Sequence, residues 1–325
     1  MTPSRTPAEF EFGGRKVAPG TQCKVDIPVS RLPTQTLVEL STMVVNGAHA
    51  GPTIWLSAAL HGDEINGVEI IRNVLEAIDP KDLRGRILAV PVVNVFGFLT
   101  GSRYLPDRRD LNRSFPGSNR GSLAGRLAHL FMTEIVARCS FGLDFHTAGA
   151  GRTNLPQVRG DLGHPKTRRL ALAFRAPAAL PATERDGSLR EAASRIGIPV
   201  LLFEGGAPRR FDPETIQSGV TGTLRTLADL RMVKASRLPR TRETVLLESS
   251  KWLRAPRGGI LRLHVKSGQH IERGAEVATI ADVFGDDPVM VKAPSPGLVI
   301  GHTLDPLVNL GEAVVHLGKV ASAPA

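Results

Sequence analysis

The chain has 325 residues, of which 42% are hydrophobic and 22% charged, and this composition is ordinary for a soluble globular protein of about two domains. No stretch approaches the roughly 20 apolar residues of a membrane span, and the N-terminus lacks the apolar core of a signal peptide, so we expect a cytoplasmic protein with no membrane partner. The net charge is +10, but the basic residues are scattered and only 5% of residues are aromatic. This argues against a nucleic-acid partner and favours attraction of acidic small molecules. Two cysteines, Cys23 and Cys139, are too few for a disulfide framework.

From about residue 50 onward, short apolar runs alternate with amphipathic helical patterns. In chain order, the predicted elements are short strands at 36–40 and 43–45, a strand at 53–60, a helix beginning near Ile65, a strand at 87–95, a helix at 122–138, strands at 141–145 and 198–203, and a helix from Pro213 to about Leu230. Asp212 is expected to cap this last helix. The alternation predicts an α/β fold with a mostly parallel or mixed sheet flanked by helices.

After about Arg237 the pattern changes to short alternating segments broken by glycine, which predicts a small all-β unit. Residues 255–261 resemble 293–299, and residues 271–277 resemble 308–314. This weak repeat indicates a barrel with two similar halves. We therefore expect an α/β domain over residues 1–237 and a barrel-like domain over residues 238–325.

Three chemically capable side chains follow predicted strands. His61 follows the strand at 53–60, His146 the strand at 141–145, and Glu204 the strand at 198–203. In open α/β sheets, ligands bind in the crevice outside the carboxyl ends of the strands. These residues are therefore candidates for one site.

The pair His61 and Glu64, in the motif H-G-D-E, has the spacing of two metal ligands on a strand-to-helix turn. Zinc in hydrolases typically takes three protein ligands, and two histidines with one glutamate form one such set. The second histidine must come from elsewhere. His146, in D-F-H-T, is the best candidate because the others lie in a loop, at helices or in the C-terminal β unit. Cobalt or manganese could bind the same ligands.

A metal-dependent hydrolase also needs a general base, and Glu204, at the end of an apolar strand and before two glycines, fits this role. The loop at 101–117 is rich in arginine, whose guanidinium group can hold a carboxylate or stabilise an oxyanion. Arg108 and Arg109 are interpreted as solvated surface charges.

Taken in order, these motifs resemble the succinylglutamate desuccinylase/aspartoacylase family, a branch of the zinc-carboxypeptidase-like fold, over about residues 50–232. The motifs are H-G-D-E, R-Y, D-L-N-R-S-F-P-G, D-F-H-T and F-E-G-G. The resemblance implies zinc as cofactor and the following roles: zinc ligands His61, Glu64 and His146, catalytic acid/base Glu204, carbonyl-polarising Arg103, and substrate carboxylate ligands Asn112 and Arg113.

The resemblance also implies a substrate class, which is a small N-acyl amino acid carrying an acetyl or succinyl group. Residues 149–157 resemble a bacterial deacylase subgroup more than the aspartoacylases, so N-acetyl-diaminobutyrate is one option. A zinc carboxypeptidase acting on peptides is the alternative, and an open groove would favour it. A non-enzymatic binding or carrier protein is the third hypothesis.

The tail resembles a biotinyl/lipoyl-type barrel. The position of the carrier lysine in such barrels falls near Asp286 here, which argues against a carrier function. A lid, a support for substrate selection or an oligomer contact is expected instead, and the protein is expected to form a homo-oligomer.

Overall fold

The computed structural model describes residues 8–149, 151–234 and 243–321. The strands in these ranges are β1 (Phe10–Phe12), β2 (Arg15–Val17), β3 (Thr21–Arg31), β4 (Leu37–Asn46), β5 (His49–Ala58), β6 (Arg84–Val90), β7 (Gly142–His146), β8 (Arg152–Gly160), β9 (Ala178–Pro181), β10 (Val200–Gly206), β11 (Val245–Arg254), β12 (Gly259–Leu263), β13 (His270–Ile271), β14 (Glu276–Ala281), β15 (Val289–Lys292), β16 (Gly297–Thr303), β17 (Leu307–Val308) and β18 (Ala313–Val320). The helices are α1 (Asn66–Glu76), α2 (Val95–Thr100), α3 (Leu123–Glu134), α4 (Pro165–Phe174), α5 (Leu189–Arg195) and α6 (Pro213–Asp229).

The centre of the fold is a mixed sheet of twelve strands, ordered β13-β16-β18-β11-β9-β8-β10-β7-β5-β6-β4-β3. Its middle strands β10, β7, β5 and β6 run parallel to one another. They read as nearly continuous apolar runs because both of their faces are covered. The predicted α/β architecture is confirmed.

Helices cover both faces of this sheet. On one face α1, α4 and α6 pack through side chains such as Ile70, Phe174 and Leu227. On the other face α3 and α5 pack together with the β1–β2 hairpin, through side chains such as Phe131 and Phe12. Within the described ranges, no helix combines the length and the apolar character needed to cross a membrane.

Several predicted boundaries shift by a few residues. The strand predicted at 87–95 ends at Val90, directly before Pro91, whose missing N–H cannot continue the ladder. The two short strands predicted at 36–40 and 43–45 are the single strand β4. The predicted cap of α6 is confirmed, since the Asp212 side chain accepts a hydrogen bond from the Thr215 amide at 2.9 Å.

The C-terminal strands form a barrel, but not by themselves. Strand β16 pairs with β18 and also with β8, so β8, β9, β11, β18 and β16 close into a five-stranded ring. Its interior is filled by apolar side chains that include Leu180, Leu247 and Ile300. A second, four-stranded sheet, ordered β15-β14-β12-β17, packs beside it. The barrel therefore uses strands from both halves of the chain. The predicted domain boundary at 237/238 lies outside the described residues.

Candidate active site

Two neighbouring parallel strands bring the predicted metal ligands together. His61 lies three residues after the end of β5, and Glu64 lies two residues before α1 begins. His146 is the last residue of β7, which pairs directly with β5. All three side chains are buried, and one ligand atom from each lies within 4.8 Å of the others. Two imidazoles and one carboxylate at this spacing can hold a divalent metal ion.

The contacts of the two imidazole rings assign different roles to their two nitrogens. The Nδ1 atoms face the Glu64 carboxylate, at 2.7 Å for His61 and 2.8 Å for His146. The Nε2 atoms face other carboxylates, Asp110 at 3.2 Å and Asp144 at 2.8 Å. A carboxylate that accepts from Nε2–H fixes the ring orientation and leaves Nδ1 as the metal ligand. This arrangement suits a metal centre with supporting acids.

Burial and neighbouring opposite charges have opposing effects on the pKa values of the two histidines and of Glu64. Burial by itself would lower the pKa of His146, but the Asp144 and Glu64 carboxylates raise it well above its usual value. Burial would also lower the pKa of His61, but the Glu64 and Asp110 carboxylates raise it above its usual value. Burial would raise the pKa of Glu64, but the two histidines hold it well below its usual range. Without a metal ion the two histidines thus hold protons, and their positive charge lies between the carboxylates. A metal cation can replace these protons.

The turn that carries His61 requires a glycine next to it. A Cβ atom on Gly62 would lie 1.9 Å from the carbonyl carbon of Gly97 in α2, which is far inside van der Waals contact. The turn and α2 can approach this closely only because Gly62 has no side chain. The G of the H-G-D-E motif is therefore a packing requirement of the site.

Strand pairing places Glu204 beside His146. The two residues are register partners in the parallel pair β10–β7, so their side chains leave the same face of the sheet. The Glu204 Oε2 atom accepts a hydrogen bond from Asn154 Nδ2 at 2.8 Å and lies 3.0 Å from Arg159 Nη2. The Glu204 carboxylate is therefore held in place next to the cluster of His61, Glu64 and His146.

Arg103 joins the cluster from the loop after α2. Its Nε and Nη2 atoms donate to Asp110 Oδ2 at 3.2 and 2.9 Å. Its Nη1 atom lies 3.2 Å from His61 Nδ1 and 3.5 Å from Glu64 Oε1. Asp110 thus orients both the guanidinium of Arg103 and the ring of His61.

Asn112 and Arg113 lie on a 3-10 turn, Leu111–Arg113, that directly follows Asp110. The Asn112 Oδ1 atom accepts a hydrogen bond from the Leu189 amide at 2.9 Å, at the start of α5. The Arg113 Nη1 atom donates to the Asn112 carbonyl. The turn is thereby tied to α5 on the same face of the sheet as Arg103.

Comparison with known proteins assigns this arrangement to a family. The model of the succinylglutamate desuccinylase/aspartoacylase catalytic domain matches residues 50–230, more than half of the chain. The chain belongs to this family.

Relatives in the family match most of the chain. N-alpha-acetyl-L-2,4-diaminobutyric acid deacetylase from Halomonas elongata is 27% identical over 286 residues, which cover 84% of each protein. A succinylglutamate desuccinylase/aspartoacylase structure from Rhodobacter sphaeroides has a TM-score of 0.82 at 26% identity, covering 93% of this chain and 96% of that one. The product-bound ectoine utilization protein EutE (DoeB) from Ruegeria pomeroyi has a TM-score of 0.81 at 24% identity, covering 92% and 94%, and shares the fold.

In this family member the predicted site residues fall into three groups. His61, Glu64, His146 and Arg103 form one network of contacts. Glu204 stands beside it through strand pairing. Asn112 and Arg113 are linked to it through the turn after Asp110, and their contacts described above are with backbone groups.

Four further residues at the site were not singled out from the sequence, namely Asp110, Asp144, Asn154 and Arg159. Asp110 and Asp144 were within reach of sequence reasoning. Asp144 precedes His146 by two positions on one strand, so both side chains must share a face. The other two lie on β8, a strand that the sequence pattern did not predict.

Proposed function

We propose that the protein is a zinc-dependent deacylase that hydrolyses the amide bond of a small N-acyl amino acid. The observation that carries the proposal is the convergence of His61 Nδ1, His146 Nδ1 and the Glu64 carboxylate, with Glu204 adjacent to them. Family membership supports it, as does the 27% identical deacetylase from Halomonas elongata. The zinc-carboxypeptidase-like description of the α/β part belongs to the same proposal.

His61, Glu64 and His146 would hold the zinc ion. Their chemistry fits, since two neutral imidazoles and one carboxylate form a common catalytic zinc set, and each ring has an acid on its other nitrogen. When bound, zinc supplies Lewis acidity toward the scissile carbonyl and lowers the pKa of water.

Glu204 is the proton carrier of the reaction. It takes a proton from the attacking water and passes it to the amide nitrogen, which must leave as an amine. Its position on the strand next to His146 puts it at the side of the metal ligands. Asn154 and Arg159 both contact one oxygen of Glu204, Oε2, and hold its side chain in place.

Arg103 stabilises the oxyanion that develops on the scissile carbonyl. Two of its nitrogens are held by Asp110, and Nη1 is turned toward His61 and Glu64. A donor fixed in this way needs no reorganisation as charge develops.

Asn112 and Arg113 bind the substrate carboxylate. The Asn112 oxygen is engaged by α5, so its NH₂ group is the part of the amide that can donate to an acid. The acyl group is acetyl or succinyl, and N-acetyl-diaminobutyrate is one substrate of this class.

An amine-release assay on zinc-loaded protein tests the proposal, with N-acetyl and N-succinyl amino acids beside short peptides and with and without chelator. We expect chelator-sensitive release from one small acylated amino acid. His146→Ala is expected to lose zinc, whereas Glu204→Gln is expected to keep zinc and lose turnover. Release from peptides alone would instead support a carboxypeptidase, and stoichiometric zinc in His146→Ala would remove the metal site from the proposal.

The proposal includes a cytoplasmic, homo-oligomeric enzyme. Cys23 and Cys139 are free thiols, which agrees with a reducing compartment. Light scattering on the purified full chain measures the assembly, and a monomer mass would contradict the oligomer.

A further inference from the structure

Both contacts that hold Glu204 come from one strand and reach one oxygen. Asn154 Nδ2 lies 2.8 Å and Arg159 Nη2 lies 3.0 Å from Glu204 Oε2. Two donors to one oxygen fix the rotation of the Glu204 carboxylate group about its last side-chain bond. The other oxygen, Oε1, can then exchange a proton with the substrate. Both donors belong to β8, so the placement of β8 sets the placement of Glu204.

Asn154 differs from Arg159 in how it is held. Its side chain is buried, and it stands where the register between β8 and β10 shifts, between Glu204 and Gly206. Such an irregularity re-aims a side chain relative to the regular ladder. Asn154 is thereby directed to the carboxylate of Glu204 from the opposite strand.

Strand β16, from the C-terminal half, closes over Asn154 on its other side. Asn154 is the register partner of Gly301 in the antiparallel pair β8–β16. A Cβ atom on Gly301 would lie 2.5 Å from Asn154 Oδ1 and 2.9 Å from the Thr153 carbonyl oxygen. The glycine therefore makes the room that the Asn154 side chain occupies.

Further bonds fasten the same strands together. Gln157 Nε2 donates to the Ile300 carbonyl at 3.1 Å, and the Leu304 amide donates to the Gly151 carbonyl at 2.7 Å. The Thr303 hydroxyl donates to that same carbonyl at 3.1 Å. These contacts span β8 on both sides of Asn154, so β16 fixes the backbone from which Asn154 reaches Glu204.

We propose that Asn154 is a positioning residue for Glu204 and that β16, through Gly301, holds Asn154 in place. The inference rests on the proposed function of Glu204 as proton carrier. In this inference the five-stranded barrel contributes to the reaction because two of its strands, β8 and β16, hold the side chain of Glu204 in position.

Two substitutions of Asn154 separate a donor role from packing. Asn154→Ala removes the hydrogen bond, and Asn154→Asp keeps the shape but turns an oxygen toward Glu204 Oε2. We expect kcat to fall about 10- to 100-fold in Asn154→Ala and further in Asn154→Asp, because a hydrogen bond to a charged group is lost and then replaced by repulsion. KM should stay within about twofold, and the zinc content of both variants should stay near that of the parent.

Gly301→Ala tests the contribution of β16 without removing any donor. Its methyl group must displace Asn154 Oδ1, so we expect the same loss of kcat at unchanged zinc content. Gly318→Ala, on β18 of the same barrel, is the matched control, since the atoms nearest its Cβ belong to Leu247, at 2.7 Å, and Ile300, at 3.3 Å, rather than to Asn154. This control should keep the kcat of the parent.

The outcomes separate this inference from the proposed function. If Glu204→Gln keeps turnover, the assignment of Glu204 fails and the inference fails with it. If Glu204→Gln is inactive while Asn154→Asp has the kcat of the parent, the positioning role alone is wrong. If Gly301→Ala has the kcat of the parent, β16 does not set the position of Asn154.

Discussion

Replacing Asp144 with asparagine should weaken metal binding through one proton on a histidine ring. Asp144 Oδ2 faces His146 Nε2, while Asp144 Oδ1 accepts from the Ser57 hydroxyl at 2.8 Å. The Ser57 oxygen in turn lies 3.3 Å from the indole nitrogen of Trp55, which donates to it. The Ser57 hydrogen is therefore committed to Asp144, and an asparagine there would direct its oxygen to Ser57.

The consequence for Asp144→Asn is that an NH₂ group faces His146 Nε2. Nε2 must then accept, and the ring carries its hydrogen on Nδ1, the atom that faces Glu64. A protonated Nδ1 cannot bind a metal ion. Loss of a carboxylate behind a ligating histidine typically costs 10- to 100-fold in affinity, or about 1.4 to 2.8 kcal/mol. We expect a loss of at least this size.

Competition of the metal-free protein with a chromophoric chelator for zinc measures this loss directly. Ser57→Ala combined with Asp144→Asn is the control, because without the hydroxyl the amide can turn its oxygen to His146, and part of the affinity should return. Zinc affinity equal to that of the parent in Asp144→Asn would refute the role of Asp144. No recovery in the double variant would refute the tautomer argument.

Four other predictions concern packing and pH. Gly62→Ala should destabilise the protein by about 3 kcal/mol in denaturant unfolding, because its methyl group would overlap the backbone of α2. The raised pKa values of His61 and His146 mean that protons compete with zinc, so zinc affinity should rise with pH. The same raised values stabilise the metal-free protein below the unfolded-state pKa of about 6.5, so its melting temperature should fall as pH rises above that value. Burial, with Arg159 and Arg152 nearby, lowers the pKa of His316 to about 3. The protein is therefore most stable with respect to this group above a pH of about 6.5, where the histidine is neutral in both the folded and the unfolded state, and it loses stability as the pH falls toward 3. In melting-temperature measurements at decreasing pH, His316→Phe should lose less stability than the parent.

The parts of the site that follow single strands were predictable from the sequence. The apolar runs at 53–60, 141–145 and 198–203 mark the buried parallel strands β5, β7 and β10, and in such a sheet the carboxyl ends meet at one edge. The proposed metal ligands followed from this rule, the three-residue spacing of His61 and Glu64, and the zinc set of two histidines and one glutamate. Their burial and the closeness of their ligand atoms agree with that reasoning.

The support of Glu204 could not be predicted in this way, because it depends on pairing between distant segments. β8 contains Pro156 and alternates irregularly between polar and apolar residues, so no period marks it as a strand. Asn154 of β8 is paired with Gly301, which lies 147 positions further along the chain. The need for a glycine at position 301 is apparent only from this pairing.

The closure of the barrel also depends on pairing between distant segments, and it connects the two halves of the chain. The repeat in the C-terminal sequence predicted a barrel built from that half alone, whereas the ring takes β8 and β9 from the first half. One strand of this ring, β8, also carries Asn154 and Arg159, both of which contact Glu204. We therefore expect a change in the packing of β16 against β8 to reach Glu204, the proposed proton carrier, through the hydrogen bond from Asn154, without contact with the proposed metal ligands.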